Sequence, residues 1–200
     1  MKFEGCEGTK GPNMRDYAKY EISITLRLVA ALFAAALILA SGTSRAADEG
    51  EQAPAFSARS LNGDGSISLS SYRGKVVYLD FWASWCAPCQ AALPALEQLR
   101  KEFPADQFQV IAVNVDTDPE KALRLLAKHK IGYPSAADPE GRLPETFGLK
   151  TMPTSYLIDR NGVVRAVHAG FRASDMDELR AEIRALLGTP AVPAAAEAKR

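Results

Sequence analysis

The chain has 200 residues, a length that allows one ordinary domain with extensions at its ends. Its 24 basic residues balance its 24 acidic residues, which argues against a nucleic-acid-binding protein, because such a protein needs a basic face. Only two of its three cysteines lie beyond residue 46, too few for a small scaffold held together by disulfides.

An apolar run at residues 28–40 follows Arg27 and precedes Ser44-Arg45-Ala46, which supplies the small residues of a cleavage site. This pattern predicts a secretory signal peptide over residues 1–46. The run is shorter than the ~20 residues that a membrane-spanning helix needs, so an uncleaved membrane anchor is the less favoured alternative. We therefore expect the rest of the chain to work in the periplasm or another extracytoplasmic compartment, without Cys6.

Residues 47–54 are predicted to be a polar linker, and residues 55–188 to fold as one domain. Two short segments at the start of the domain flank Asn62-Gly63-Asp64-Gly65, residues typical of a tight turn, so we expect a β-hairpin there. At the other end of the chain, residues 189–200 are rich in Ala and Pro. They have too few large apolar side chains to fold, which predicts a disordered tail.

The centre of the domain alternates between strand and helix patterns. Residues 76–82 form an apolar run interrupted only by Asp80, which predicts a buried strand. Helical spacing follows over residues 87–103, where Pro94 is expected to kink the helix rather than end it. A second buried strand is predicted at residues 108–115 and an amphipathic helix at residues 119–129. This order predicts an α/β domain with parallel core strands.

The last part of the domain is predicted to hold shorter elements. Asn161-Gly162 between two apolar runs is a strong signal for a hairpin turn. The predicted elements are an edge strand at residues 135–138, a one-turn helix at 143–147, hairpin strands at 154–159 and 163–169, and a final helix that ends at Leu187.

Cys86 and Cys89 lie where the first predicted strand ends and the first helix begins. Free N–H groups and a partial positive charge at a helix N-terminus stabilise a thiolate and lower the pKa of the thiol. This placement predicts a redox dithiol in which Cys86 attacks and Cys89 resolves. A structural disulfide is a less favoured alternative, as is a zinc site, which would need two more ligands; His129 and His168 are single and distant in sequence.

The segment DFWASWCAPC, residues 80–89, resembles the active-site segment of the thioredoxin superfamily. Pro94 resembles the proline that kinks the first helix in that family, and Met152-Pro153-Thr154 resembles its cis-proline loop. Together with the predicted signal, residues 52–187 resemble the TlpA/ResA-like exported thiol-disulfide oxidoreductases. The resemblance implies a thioredoxin fold, with a central mixed sheet flanked by helices, here extended by the N-terminal β-hairpin.

The match to the thioredoxin pattern, more than burial alone, implies that Asp80 accepts the proton of Cys89. A lone carboxyl in an apolar interior has its pKa raised by desolvation, which suits that role. The alternative interpretation makes Asp80 an outward-facing residue, or a core residue with satisfied hydrogen bonds.

Four further residues are expected at the substrate-binding side of the dithiol. Pro88 fixes the backbone in the first helical turn, where its missing N–H costs little. Trp85 offers a flat apolar surface for docking; its alternative role is a partly buried core aromatic. The resemblance implies that Pro153 is cis and turns the backbone of Met152 toward the cysteines, where an extended partner peptide can pair with it.

The resulting prediction is a protein-disulfide reductase that acts on exported proteins and uses no cofactor beyond the Cys86–Cys89 disulfide. A membrane protein is expected to supply its electrons, and factors that mature cytochrome c or copper sites are candidate partners. Ala92 departs from the family, because several reductive members carry a glutamate at this position, and this weakens the case for cytochrome c maturation.

Two other functions occur on the same fold. A peroxiredoxin-type peroxidase has Pro-x-x-x-Thr-x-x-Cys, but the corresponding positions here hold Leu79 and Ala83. Copper-binding chaperones carry Cys-x-x-x-Cys with a distal histidine, whereas the spacing here is Cys-x-x-Cys. A peroxidase and a copper-binding chaperone are therefore the two alternatives to a disulfide reductase.

Overall fold

The computed structural model describes residues 47–188, and the helices and strands follow the predicted order. The described strands are β1 (Ser57–Arg59), β2 (Ser66–Ser68), β3 (Val76–Trp82), β4 (Phe108–Asn114), β5 (Ser135–Ala137), β6 (Thr154–Ile158) and β7 (Val164–Ala169). The described helices are α1 (Ala87–Lys101), α2 (Pro119–Lys128), α3 (Arg142–Phe147) and α4 (Met176–Gly188), with 3-10 turns at Leu69–Tyr72 and Ala173–Asp175.

A five-stranded mixed sheet with the strand order β5-β4-β3-β6-β7 forms the centre of the fold. β3, β4 and β5 run parallel, whereas β6 runs antiparallel to β3, and β7 antiparallel to β6. α1 and α2 form the crossovers that the parallel pairs require. The predicted α/β architecture, a central mixed sheet flanked by helices, is confirmed.

β3 is the central strand, and all of its residues are buried. Its side chains alternate between two hydrophobic clusters, because successive residues of a strand point to opposite faces. Tyr78 and Trp82 belong to the cluster that includes apolar side chains of α1 and α4. Leu79 and Phe81 belong to the cluster that includes Ile67 of β2 and part of α3. The nearly continuous apolar run therefore reflects a strand covered on both faces.

α1 begins directly after Cys86 and continues through Pro94 to Lys101, so Pro94 does not end the helix, as predicted. Its buried face includes Cys89, Leu93 and Leu96, which belong to the same hydrophobic cluster as Tyr78 and Trp82 of β3. The helix thus carries Cys89 on the face that packs against the sheet.

The predicted N-terminal hairpin is confirmed, since β1 pairs antiparallel with β2. The predicted linker at residues 47–54 is wrong, because this segment packs onto the domain. Gly50 N–H donates to the carbonyl of Val164 at 2.8 Å, Val164 N–H donates to the carbonyl of Glu51 at 2.9 Å, and Gln52 forms an antiparallel bridge with Val163. Backbone groups make these contacts, so the polar composition of the segment gave no sign of them.

The predicted signal peptide at residues 1–46 and the predicted tail at residues 189–200 lie outside the described residues. Within residues 47–188, no helix combines the length and the apolar character that crossing a membrane requires.

Candidate active site

Cys86 and Cys89 form a disulfide at the start of α1, with their Cα atoms 5.2 Å apart. Cys86 is the N-cap residue of the helix, and Cys89 N–H donates to Cys86 Sγ at 3.3 Å. Pro88 occupies the first turn, as predicted, where its missing N–H leaves no helical hydrogen bond unmade. The Cys86 sulfur therefore lies at the positive end of the helix dipole.

The two cysteines differ in their access to solvent. Cys86 has 6% of its surface exposed and Cys89 has none. Both belong to the same core cluster, so the small exposed fraction of Cys86 is the part of the pair that a partner disulfide can contact. That Cys86 attacks and Cys89 resolves stays a prediction, which this difference in exposure favours.

Asp80 lies in the middle of β3 and is only 1% exposed. Ser155 of β6 donates its hydroxyl hydrogen to Asp80 Oδ1 at 2.7 Å, while Asp80 Oδ2 has no hydrogen-bond partner among the described residues. Burial raises the pKa of Asp80 to about 7, although the hydrogen bond from Ser155 lowers it. The outward-facing alternative for Asp80 is therefore wrong, and only one of its two oxygens is satisfied.

The alternation of β3 places Asp80 on the same face of the sheet as Tyr78 and Trp82. Both of those residues belong to the cluster that contains Cys86 and Cys89. Asp80 thus faces the side of the sheet on which the dithiol lies, with one oxygen free to accept a proton.

Two buried tyrosines surround this carboxyl group. The pKa of Tyr78 and that of Tyr133 are raised above the ordinary value, first by burial and then by the negative charge of Asp80. The Tyr133 hydroxyl donates to the carbonyl of Leu93 in α1 at 3.4 Å. The surroundings of Asp80 are therefore largely aromatic and apolar, which favours its protonated form.

Trp85 is 68% exposed and directly precedes Cys86. The alternative of a partly buried core aromatic is therefore wrong. A large apolar side chain with this exposure, next to a reactive sulfur, offers a contact surface for a partner.

The Met152–Pro153 peptide bond is cis, as the resemblance implied. Met152 packs against the large hydrophobic cluster to which both cysteines belong. The carbonyl of Pro153 accepts a hydrogen bond from Gly170 N–H at 2.8 Å. Among the described residues, no backbone hydrogen bond involves Met152, which leaves its backbone available for pairing with a partner strand.

Sequence reasoning missed Ser155, the residue that binds Asp80. Ser155 is the register partner of Asp80 in the antiparallel pairing of β3 with β6. Neither residue type nor spacing marks it out, because its contact depends on the pairing of two strands that are distant in the sequence. Only the correct register between β3 and β6 would have pointed to Ser155.

The chain is similar to curated proteins of bacilli. It is 40% identical to the thioredoxin-like protein YneN of Bacillus subtilis over 125 residues, which are 61% of this chain and 72% of that protein. It is 32% identical to the thiol-disulfide oxidoreductase ResA of Bacillus thuringiensis over 115 residues, which are 58% of this chain and 66% of that protein.

Solved structures show the same likeness. A crystal structure from Chlorobium tepidum, assigned as a thiol:disulfide interchange protein DsbE, is 45% identical and has a TM-score of 0.67. The likeness covers 70% of this chain and 99% of that one, so it extends over nearly the whole of the solved domain. The profile of the AhpC/TSA family matches residues 50–167, which include both cysteines, Asp80 and the cis-proline loop. On this match and these relatives, the chain belongs to the thioredoxin-like AhpC/TSA family.

Proposed function

We propose that this chain reduces disulfides in exported proteins outside the cytoplasm. It is a thiol-disulfide oxidoreductase, the activity that its relatives carry in their names. The observation that carries the proposal is the arrangement of the two bonded cysteines: Cys86 is the N-cap residue of the helix and keeps 6% of its surface exposed, whereas Cys89 in the first turn is fully buried. Such a pair can exchange with a partner disulfide and then close on itself.

The first step is the attack of the Cys86 thiolate on one sulfur of the partner disulfide. The partner's S–S bond breaks, its second sulfur leaves as a thiolate, and that thiolate takes a proton from solvent. The helix N-terminus and the hydrogen bond from Cys89 N–H favour the thiolate form of Cys86. The product is a mixed disulfide between Cys86 and the partner.

The second step releases the partner. Asp80 accepts the proton of the Cys89 thiol, and the Cys89 sulfur then attacks Cys86 Sγ. The bond between Cys86 and the partner breaks, and the partner's sulfur leaves as a thiolate that takes a proton. The unpartnered Oδ2 of Asp80 and its pKa of about 7 suit this transfer near neutral pH.

The surface beside Cys86 is the proposed docking site for the partner. Trp85 supplies apolar contact area, and the backbone of Met152 pairs with an extended segment of the partner. A segment held in this way lies alongside the cysteines, which positions its disulfide for attack.

Each cycle moves two electrons from the dithiol to the partner and leaves Cys86 and Cys89 oxidised to their disulfide. An external reductant must therefore restore the dithiol, and in an extracytoplasmic compartment we assign this role to a membrane electron donor. The predicted signal peptide supports this location. Mass spectrometry of the protein recovered from periplasmic material should find a mature chain that starts near Ala47; a chain that retains Cys6 would contradict export by cleavage.

Insulin reduction tests the activity. With dithiothreitol as the electron source, the wild-type chain should speed the precipitation of the insulin B chain, and Cys86→Ser should lose this effect because the attacking atom is gone. Two parallel assays cover the alternatives: consumption of hydrogen peroxide for a peroxidase, and Cu(I) titration for a copper chaperone. A chain that consumes peroxide or retains Cu(I) tightly, but does not reduce insulin, would contradict the proposal.

A further inference from the structure

Asp116 is a buried carboxylate that lies beside the loop in front of Cys86. It follows β4 and is 7% exposed. Its Oδ2 accepts hydrogen bonds from Ser84 N–H at 2.8 Å and from Asn114 Nδ2 at 2.8 Å, and its Oδ1 accepts one from Ser84 Oγ at 2.9 Å. Asp116 thus ties the end of β4 to a residue two positions before the attacking cysteine.

Ser84 is held on its other side as well. Its carbonyl accepts a hydrogen bond from Gln90 Nε2 in α1 at 2.6 Å, and Gln90 N–H donates to the carbonyl of Cys86 at 3.1 Å. The N–H, the hydroxyl and the carbonyl of Ser84 are therefore all engaged. These contacts fix the approach of the chain to the N-cap position, where Cys86 Sγ receives the N–H of Cys89.

The charge of Asp116 has no cationic counterpart in these contacts. All three donors are neutral, and no ion pair found within residues 47–188 involves Asp116. A negative charge close to a thiol raises its pKa, whereas a helix N-terminus lowers it. Other charged groups around Asp116 line a neighbouring cavity of about 480 Å³: Arg59 from β1, Asp138 and Glu140 from the segment after β5, and Arg142 from α3.

We propose that Asp116 is a positioning residue for Cys86, which holds the loop through Ser84 and whose charge limits the stabilisation of the Cys86 thiolate by the helix N-terminus. The inference rests on the proposed function in one respect, namely that Cys86 is the attacking thiol. In this arrangement the Asp116 carboxylate fixes the position of Cys86 Sγ. It also sets the fraction of Cys86 that is present as the reactive thiolate.

The pH dependence of alkylation tests this role. The reduced wild type and its variants are treated with iodoacetamide across a pH series, and mass spectrometry follows the modification of Cys86. Asp116→Asn keeps an oxygen for Ser84 N–H but removes the charge, so the midpoint of alkylation should fall by about half a pH unit or more. Ser84→Ala removes the hydroxyl that donates to Asp116 Oδ1 and so leaves the negative charge less compensated. The midpoint of Cys86 alkylation should therefore rise, by a smaller amount.

Asp138→Asn is the matched control. Asp138 is also buried and lines the same cavity, but its carboxylate accepts hydrogen bonds from the N–H groups of Arg142 and Leu143 at the start of α3. This variant should lose stability and leave the midpoint of Cys86 unchanged. An unchanged midpoint in Asp116→Asn, or an equal shift in Asp138→Asn, would overturn the inference.

If Asp116→Asn does not fold, Ser84→Ala decides the question, since an unchanged or lowered midpoint in that variant contradicts the role of the charge. Insulin reduction by the wild type is measured in parallel. A wild type that does not reduce insulin, together with a lowered midpoint in Asp116→Asn, would reject the proposed function and still support the positioning role of Asp116.

Discussion

Ser155 lies directly opposite Asp80 in the pairing of β6 with β3, and its hydroxyl donates to Asp80 Oδ1 at 2.7 Å. Because Oδ2 has no partner among the described residues, this single hydrogen bond is what stabilises the charged form of Asp80 against the cost of burial. The pair therefore sets the pH range over which Asp80 can take a proton.

Replacing Ser155 by alanine should move that range upward. The hydrogen bond lowers the pKa of Asp80 from the value that burial alone would impose, so its loss should raise the pKa above about 7. Rapid-mixing measurements of mixed-disulfide release, made across a pH series, should show a midpoint shifted to higher pH. Thr154→Ala serves as a control, because the Thr154 hydroxyl donates to the carbonyl of Thr151 instead. Identical midpoints for wild type and Ser155→Ala would show that Asp80 is not the proton acceptor.

Asp80→Asn should slow release of the mixed disulfide and stabilise the fold at high pH. The pKa of Asp80 is raised from 3.8 to about 7, so folding favours its protonated form, and the wild type loses stability as the pH rises through this window. Asparagine keeps the shape without the charge. The variant should be more stable than wild type by on the order of a few kcal/mol at about pH 8, and the difference should shrink toward about pH 4. Denaturant unfolding of the oxidised proteins measures it, and a difference that does not depend on pH would contradict this account.

Trp85→Ala should weaken partner binding without destabilising the fold. The side chain is 68% exposed, so its removal leaves the core intact and lowers the contact area beside Cys86. We expect a higher KM for a protein disulfide with a nearly unchanged melting temperature. Leu123→Ala is a control, because Leu123 is another exposed apolar side chain but lies in α2. An equal rise in KM for both variants would argue against a docking role for Trp85.

The local part of the site was predictable from the sequence. The change from an apolar run to helical spacing fixes where β3 ends and α1 begins, and therefore where Cys86 and Cys89 lie. The position of Asp80 within that run favoured its burial, although an outward-facing side chain was excluded only by the structure. These features depend on residues close together in the chain, for which periodicity is a sufficient guide.

The contacts that support the site were not predictable in the same way. Ser155 is 75 residues from Asp80, and Asp116 is 32 residues from Ser84. Both contacts depend on which strands are neighbours and in which register, and a single sequence does not specify this. The prediction for residues 47–54 failed for a related reason, since the segment makes backbone contacts with Val163 and Val164, which are distant in the sequence.

The central claim is that Cys86 attacks and Cys89 resolves, and Cys89→Ala tests it most directly. The variant keeps Cys86 at the helix N-terminus but has no sulfur to release the partner. Expressed in a strain where the wild type is kept reduced, it should accumulate covalent complexes that are visible on a non-reducing gel and disappear when a reductant is added. Cys86→Ser in the same strain should give none. The absence of complexes with Cys89→Ala, or their persistence in Cys86→Ser, would contradict the exchange mechanism.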